Sequence, residues 1–228
     1  MLVLKNFSVY ISEGSIEPVS LLKDINLIFN SGQTVIITGP NGSGKSTLAG
    51  SLMGLAGYDP EGTIELEGSD ITTWSVEQRA QAGIFLAYQY PMEIPGLAIR
   101  TFLHHAYRSC KGAALPLQGL DKKIDQAFHM VGLPAEYSAR NVHEGFSGGQ
   151  KKRLELVQML VLEPRIIIMD EVDSGLDAPG IAMVIRLIAH YKATFPTCLF
   201  IIITHNTALY QQLAVDKYIT MQSGRILD

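Results

Sequence analysis

Gly39-Pro40-Asn41-Gly42-Ser43-Gly44-Lys45-Ser46 sets glycines, a lysine and a hydroxyl in the order G-x-x-x-x-G-K-[ST]. Such a loop can hold a chain of phosphates. Glycines let backbone N–H groups turn inward on phosphate oxygens without a Cβ in the way. The helix that follows aims its positive N-terminus at the same anion. Lys45 would reach the β- and γ-phosphates, Ser46 would ligate Mg²⁺, and Thr47 extends the hydroxyl run into the helix.

A second group lies far along the chain. Ile166-Ile167-Ile168-Met169-Asp170-Glu171 is an apolar strand ending in two carboxylates. Asp170 would hold the metal or its water shell, and Glu171 would orient or deprotonate an attacking water. A strand followed by a helix-capping Asp is the plainer alternative. Ser147-Gly148-Gly149-Gln150 opens a helix and offers a second bare N-terminus to a phosphate. One nucleotide does not need two cradles from one chain, so the economical arrangement is a head-to-tail dimer. The same four residues fit an ordinary N-cap and turn equally well.

The elements that must position these groups follow from periodicity. Leu2, Leu4, Phe7, Val9 and Ile11 alternate, then Ser12-Glu13-Gly14-Ser15 reads as a turn and Leu21 to Phe29 as a second strand. Val35 to Thr38 reads as a strand and Ser46 to Leu55 as a helix, with the glycine loop between them. Thr63 to Leu66 reads as an edge strand closed by Gly68, and Ile84 to Tyr88 as a buried strand. From Ile99 to about Gly145 the pattern is helical without convincing strands, with helices Ile99 to Cys110 and Leu120 to Val131 flanking the loop Lys111 to Gly119. Then come an amphipathic helix Gln150 to Leu162, a strand Ile166 to Met169, a helix Ile181 to Lys192, a strand Leu199 to Thr204 and a hairpin around Ser223-Gly224. Strands alternating with helices predict an α/β fold with a mainly parallel sheet covered on both faces.

In this order, these motifs resemble those of an ATP-binding-cassette (ABC) ATPase, over the whole chain. The resemblance implies a RecA-like parallel core, an N-terminal antiparallel β layer and an inserted helical lobe in a single domain. Residues 1–95 and 160–228 would form the catalytic core, and 96–159 the helical signature subdomain. It implies an Mg-dependent ATPase with ATP and Mg²⁺ as ligands. Gln89 would sense Mg²⁺ and couple to a partner, and Ser147, Gly148, Gly149 and Gln150 would be the signature motif. Ser174-Gly175-Leu176-Asp177 would be the dimer-contact loop, with Asp177 near the nucleotide, and His205 the switch histidine.

The SufC branch, ATPases of SUF iron–sulfur cluster assembly, is similar in three stretches: Ala87 to Gly96, Gly145 to Arg153 and Asp170 to Asp177. The most branch-specific stretch is Tyr90-Pro91-Met92-Glu93-Ile94-Pro95-Gly96. This resemblance implies the SufB and SufD scaffold proteins as partners, docking near Tyr90, Met92, Glu93 and Ile94, and a cytoplasmic location. The nucleotide-binding subunit of a membrane transporter is the alternative. The chain departs from the branch at Gln150, often Glu there, and ends at Asp228 without the usual C-terminal helix. Tyr10 and Ile11 are the candidates for adenine contact.

Composition narrows the classes. A net charge of −4 argues against a general nucleic-acid binder, and Lys151-Lys152-Arg153 reads as a solvated helix face. A hydrophobic content of 47% with 18% charged residues suits a packed core rather than a disordered chain. No apolar run approaches the ~20 residues of a membrane span. Two cysteines, Cys110 and Cys198, are too few for a disulfide framework. His104 and His105 are adjacent on a helix and share no face. His129, His143 and His190 have no ligand-spaced partner, and no guanine-reading Asn-Lys-x-Asp segment is present.

Overall fold

The computed structural model describes residues 1–11, 18–112 and 115–227. The turn expected over Ser12-Glu13-Gly14-Ser15 lies outside them, as does part of the loop after Lys111.

Strands β1 (Leu2–Ile11), β2 (Val19–Phe29), β4 (Asp59–Leu66) and β5 (Ser69–Asp70) form an antiparallel sheet in the order β2-β1-β4-β5. The second sheet combines β3 (Thr34–Thr38), β6 (Ile84–Ala87), β9 (Ile166–Asp170), β10 (Leu199–Ile203), β11 (Lys217–Gln222) and β12 (Arg225–Leu227), in the order β12-β11-β3-β10-β9-β6. All its pairings are parallel except β11 with β12. Crossovers between parallel strands need helices, and these are α1 (Lys45–Met53), α2 (Val76–Gln81), α3 (Ile99–Lys111), α4 (Leu117–Met130), α5 (Gly148–Leu162), α6 (Ala178–Thr194) and α7 (Thr207–Gln211). A short ladder joins β7 (Ile94–Ala98) to β8 (Asn141–Val142).

The parallel strands read as unbroken apolar runs because both faces are buried. Their two-residue period divides them between two cores. Val35, Ile37, Ile166, Ile168, Ile201 and Ile203 face the core shared with α1 and the antiparallel sheet. Ile36, Ile167, Met169, Phe200 and Ile202 face the core shared with α3, α4, α5 and α6. The phosphate loop thus leaves a sheet pinned from both sides.

Four expectations need correction. The strand expected at Thr63 to Leu66 begins at Asp59 and lies between β1 and β5, not at an edge. Pro60 and Gly62 hid its first half, and Pro60 is tolerated because β5 covers only Glu65 and Leu66. The stretch after Ile99 does contain a strand, β8, only two residues long. Helix α5 is not amphipathic: Leu154 to Met159 are all buried, because it lies between the helical elements and the parallel sheet. The triplet Lys151-Lys152-Arg153 is not a solvated face. Lys151 pairs with Glu93 at 2.8 Å, Lys152 is buried and donates to the carbonyls of Glu171 and Ser174, and Arg153 donates to Val131 O.

Arg79 anchors the far end of the phosphate-loop helix. Only 2% exposed, its guanidinium donates to Ser51 O, Leu52 O, Ile71 O, Thr72 O and Trp74 O at 2.7–3.2 Å. Two of these carbonyls end α1, where a cation also complements the helix dipole. Arg79→Met should therefore destabilise the fold by about 3–5 kcal/mol, since it strands buried acceptors. Arg79→Lys should recover little, because a point ammonium cannot span the fork. Denaturant midpoints check both, and a midpoint unchanged in Arg79→Met would refute the anchoring role.

Candidate active site

The phosphate loop runs from the end of β3 into α1. Gly39 has φ 145°, and a Cβ there would lie 2.1 Å from Met221 O, so the loop closes on β11 only with glycine. Gly44 caps α1 at φ 101°, a backbone that side chains rarely adopt. Lys45, 5% exposed, arches back so that its ammonium donates to Gly39 O at 2.8 Å and Pro40 O at 3.0 Å. Its charge is thereby held at the mouth of the loop.

Beside the loop, β9 delivers Asp170. Burial pushes its carboxyl up, opposed by a hydrogen bond from Ser46 and by the charge of Lys45, while Glu171 adds to the rise. Asp170 Oδ1 is buried and has no partner. A buried, orphaned carboxylate oxygen is costly. With the Ser46 hydroxyl on the same carboxyl, it makes a donor set of hard oxygens suited to Mg²⁺. The residues present therefore fit the metal that such a loop requires.

Glu171 follows with φ 50°, unusual for a non-glycine residue. Its own N–H donates to Ile203 O at 3.0 Å and its carbonyl accepts from Lys152. One carboxylate oxygen accepts from the Gln89 side-chain amide at 2.5 Å, and the other stands 3.5 Å from His205 Nε2. The strand ends are tied by Thr204, whose hydroxyl donates to Asp173 Oδ2 at 2.7 Å. Burial also raises the Asp173 carboxyl, and Thr204 opposes that rise. Lys45, Ser46, Gln89, Asp170, Glu171 and His205 thus converge from separate stretches on one end of the parallel sheet.

The signature residues form a separate surface. Ser147 caps α5 in a reciprocal box: its Oγ accepts from Gln150 N at 3.3 Å, and Gln150 Oε1 accepts from Ser147 N at 2.9 Å. Asp177 caps α6 by accepting from Gly180 N at 2.9 Å. Ser147, Gly149, Gln150, Gly175 and Asp177 line a depression of about 480 Å³ with no phosphate-loop residue in its walls. Within one chain the two phosphate-binding candidates stay apart.

Sequence reasoning missed a third feature. A groove of about 700 Å³ is lined by Tyr88, Tyr90, Met92, Phe102, His143 and Glu155 among others. For His143 the sequence shows no ligand-spaced partner, and the pairing it does make is with a carboxylate twelve residues on. His143 is 3% exposed, and its Nε2 meets Glu155 Oε1 at 3.0 Å. The signal was weak: a single Glu inside an apolar helix marks a buried carboxylate only once the helix is known to be covered. Among the described residues no cluster of three or more metal-ligating side chains occurs, and no helix is long and apolar enough to cross a membrane. Burial raises both thiols, Cys198 up to about 12, so neither is activated.

The chain is similar to known proteins in sequence and in fold. Residues 22–174 match the family model described as ABC transporter. The chain is 39% identical over 93% of its length to Vegetative protein 296 of Bacillus subtilis, covering 82% of that protein. It is 38% identical to a probable ABC transporter ATP-binding protein of Streptococcus pyogenes, over 93% of this chain and 84% of that one. It is 37% identical to the probable ATP-dependent transporter SufC of Escherichia coli, over 93% and 87%. Its fold matches the dimeric post-hydrolysis structure of the ATP-binding cassette MJ0796 bound to ADP and Pi, with a TM-score of 0.86 over 100% of this chain and 97% of the other, at 22% identity. With a family model matched over two thirds of its length and relatives 37–39% identical over 93% of it, the chain belongs to the ABC transporter family, as one of its ATP-binding ATPase subunits.

Proposed function

We propose that this chain hydrolyses ATP to drive conformational change in an iron–sulfur scaffold of the SufB and SufD kind, seated on the groove beside Tyr90, Met92, Glu93 and Ile94. The observation that carries the choice is the exposed segment after Gln89, where Tyr90 is 81% and Met92 83% exposed. Exposed apolar side chains contiguous with an apolar groove call for a protein cover. The SufC relative supports this reading. The transporter relative, at similar identity, supports a second one, in which the same groove takes a membrane-embedded partner. Mixing the purified chain with SufB and SufD tests the first. A stable complex with raised ATP turnover is expected, and retention only by a permease would favour the second.

In the catalytic step, Gly39 to Ser46 and Thr47 cradle the phosphates and Lys45 turns from its loop carbonyls to the β- and γ-phosphates. Ser46, Gln89 and Asp170 would hold Mg²⁺, which when bound neutralises charge on the β- and γ-oxygens. Glu171 orients the attacking water and accepts its proton, with Gln89 and His205 fixing the carboxylate from either side. The segment 96–159 acts as the helical subdomain that carries the signature residues.

Because Ser147 to Gln150 and Asp177 lie away from the phosphate loop, a second chain must present them to the γ-phosphate. ATP should therefore drive head-to-tail dimerisation, most strongly in Glu171→Gln, which retains the ligand. Because the isolated chain also binds ATP, only the affinity gained on completing a site favours the dimer; a tenfold gain at each of the two sites contributes about 1.4 kcal/mol apiece. Sedimentation should show self-association at least a hundredfold tighter with Mg-ATP than without it. A Glu171→Gln chain that remains monomeric with Mg-ATP, with and without the scaffold, would refute the composite site.

A further inference from the structure

Glu155, a carboxylate that plays no part in nucleotide contact, sits in the floor of the groove. It is 3% exposed, and its ion-pair partner among the described residues is His143 rather than a lysine or arginine. Three donors converge on it. His143 Nε2 lies 3.0 Å and Gln158 Nε2 2.6 Å from Oε1, and the Tyr88 backbone N–H donates to Oε2 at 3.3 Å. A buried carboxylate is tolerated only when so bonded, and such charge-assisted bonds hold their donors in place.

The Tyr88 donor is the significant one. The ladder between β6 and β9 ends at Ala87 opposite Met169, so Tyr88 is the first residue beyond the sheet. Its peptide is anchored by Glu155 instead. The next residue is Gln89, whose amide donates to Glu171 Oε2 at 2.5 Å. Two hydrogen bonds, one residue apart, thus connect the floor of the groove to the carboxylate that faces the water.

We infer that Glu155, held by His143 and Gln158, is a positioning residue for hydrolysis: it fixes the Tyr88 peptide and so the reach of Gln89 toward Glu171. This rests on the proposed roles of Gln89 and Glu171. Tyr88, His143, Glu155 and Gln158 all line the groove, so its occupant lies against the residues that hold the Tyr88 peptide.

The test is a double-mutant cycle on the full chain. Glu155→Gln keeps the size but presents an amide N–H₂ to one of the surrounding donors. Its kcat should fall about tenfold or more, the range for groups that orient a ligand from outside. The Kd for ATP measured without Mg²⁺ should hold within twofold, because the phosphate loop is untouched. In a Gln89→Ala background the same substitution should cost nothing further in kcat. His143→Asn, which suits the φ of 60° at that position, should act in the same direction. If Glu155→Gln does not fold, His143→Asn carries the cycle. A purely structural polar anchor would lower the melting temperature and leave kcat within twofold, or give kcat losses that multiply with that of Gln89→Ala, and either overturns the inference. If Gln89→Ala alone leaves kcat unchanged, the role of Gln89 in hydrolysis fails first and the inference fails with it.

Discussion

Glu171→Gln should bind ATP as the unsubstituted chain does and hydrolyse it about 10²–10⁴-fold more slowly, the range contributed by a positioned general base. The amide preserves the side chain's volume, and its oxygen can still accept from Gln89, 2.5 Å away in the present arrangement. It cannot take a proton from water. Lys45→Ala is the complementary case. It removes the ammonium that stands at the loop mouth, 2.8 Å from Gly39 O, and leaves Asp170 and Glu171 in place. Loss of a charged hydrogen-bond donor to phosphate costs roughly 1.5–3 kcal/mol, or about tenfold to 150-fold in affinity. Turnover at saturating ATP should fall as well, because the lysine meets charge that develops in the transition state. A nucleotide titration together with steady-state phosphate release separates the two variants. Turnover in Glu171→Gln equal to the unsubstituted chain would remove Glu171 from its role, and unchanged affinity and turnover in Lys45→Ala would do the same for Lys45.

Local chemistry explains which features could be read in the sequence. The phosphate loop was legible because its glycine and lysine spacing is imposed by backbone geometry at Gly39 and Gly44 within one turn of chain. Strands β3, β9 and β10 were legible because burial on both faces leaves only apolar side chains. Asp170 and Glu171 stood out as carboxylates closing such a strand. The misreadings came where tertiary cover overrides local pattern. Lys151-Lys152-Arg153 looks solvated by composition, yet Lys152 bridges the Glu171 and Ser174 carbonyls because α5 is enclosed. The first half of β4 was hidden by Pro60 and Gly62, which an outer position beside a short β5 tolerates. The His143–Glu155 pair depends on the approach of residues twelve positions apart around a turn at φ 60°, which no periodicity encodes.

Tyr90→Ala combined with Ile94→Asp should abolish complex formation with the scaffold while the isolated chain keeps its affinity for ATP. Tyr90 and Met92 project into solvent at 81% and 83% exposure, and Ile94, 40% exposed, pairs with Val142 in the β7–β8 ladder. Pro91 and Pro95 stiffen the segment, so little further entropy is lost on docking. A central aromatic anchor typically carries 2 kcal/mol or more of binding energy, and a carboxylate placed on an apolar contact adds a desolvation cost. Together they should weaken docking by about 3 kcal/mol or more, over a hundredfold. Glu93→Gln is the contrasting variant. Its partner Lys151 is a surface ion pair whose loss should cost less than about 1 kcal/mol. Neither Tyr90 nor Ile94 touches the phosphate loop, so a nucleotide titration reports whether the fold survived. Co-purification with SufB and SufD, measured beside ATP affinity, then has clear outcomes. Loss of the complex with ATP affinity retained supports docking on this face. Full co-purification of the double variant, or capture of a membrane permease by the unsubstituted chain in place of the scaffold, refutes the iron–sulfur assignment and leaves the transporter subunit as the function of this site.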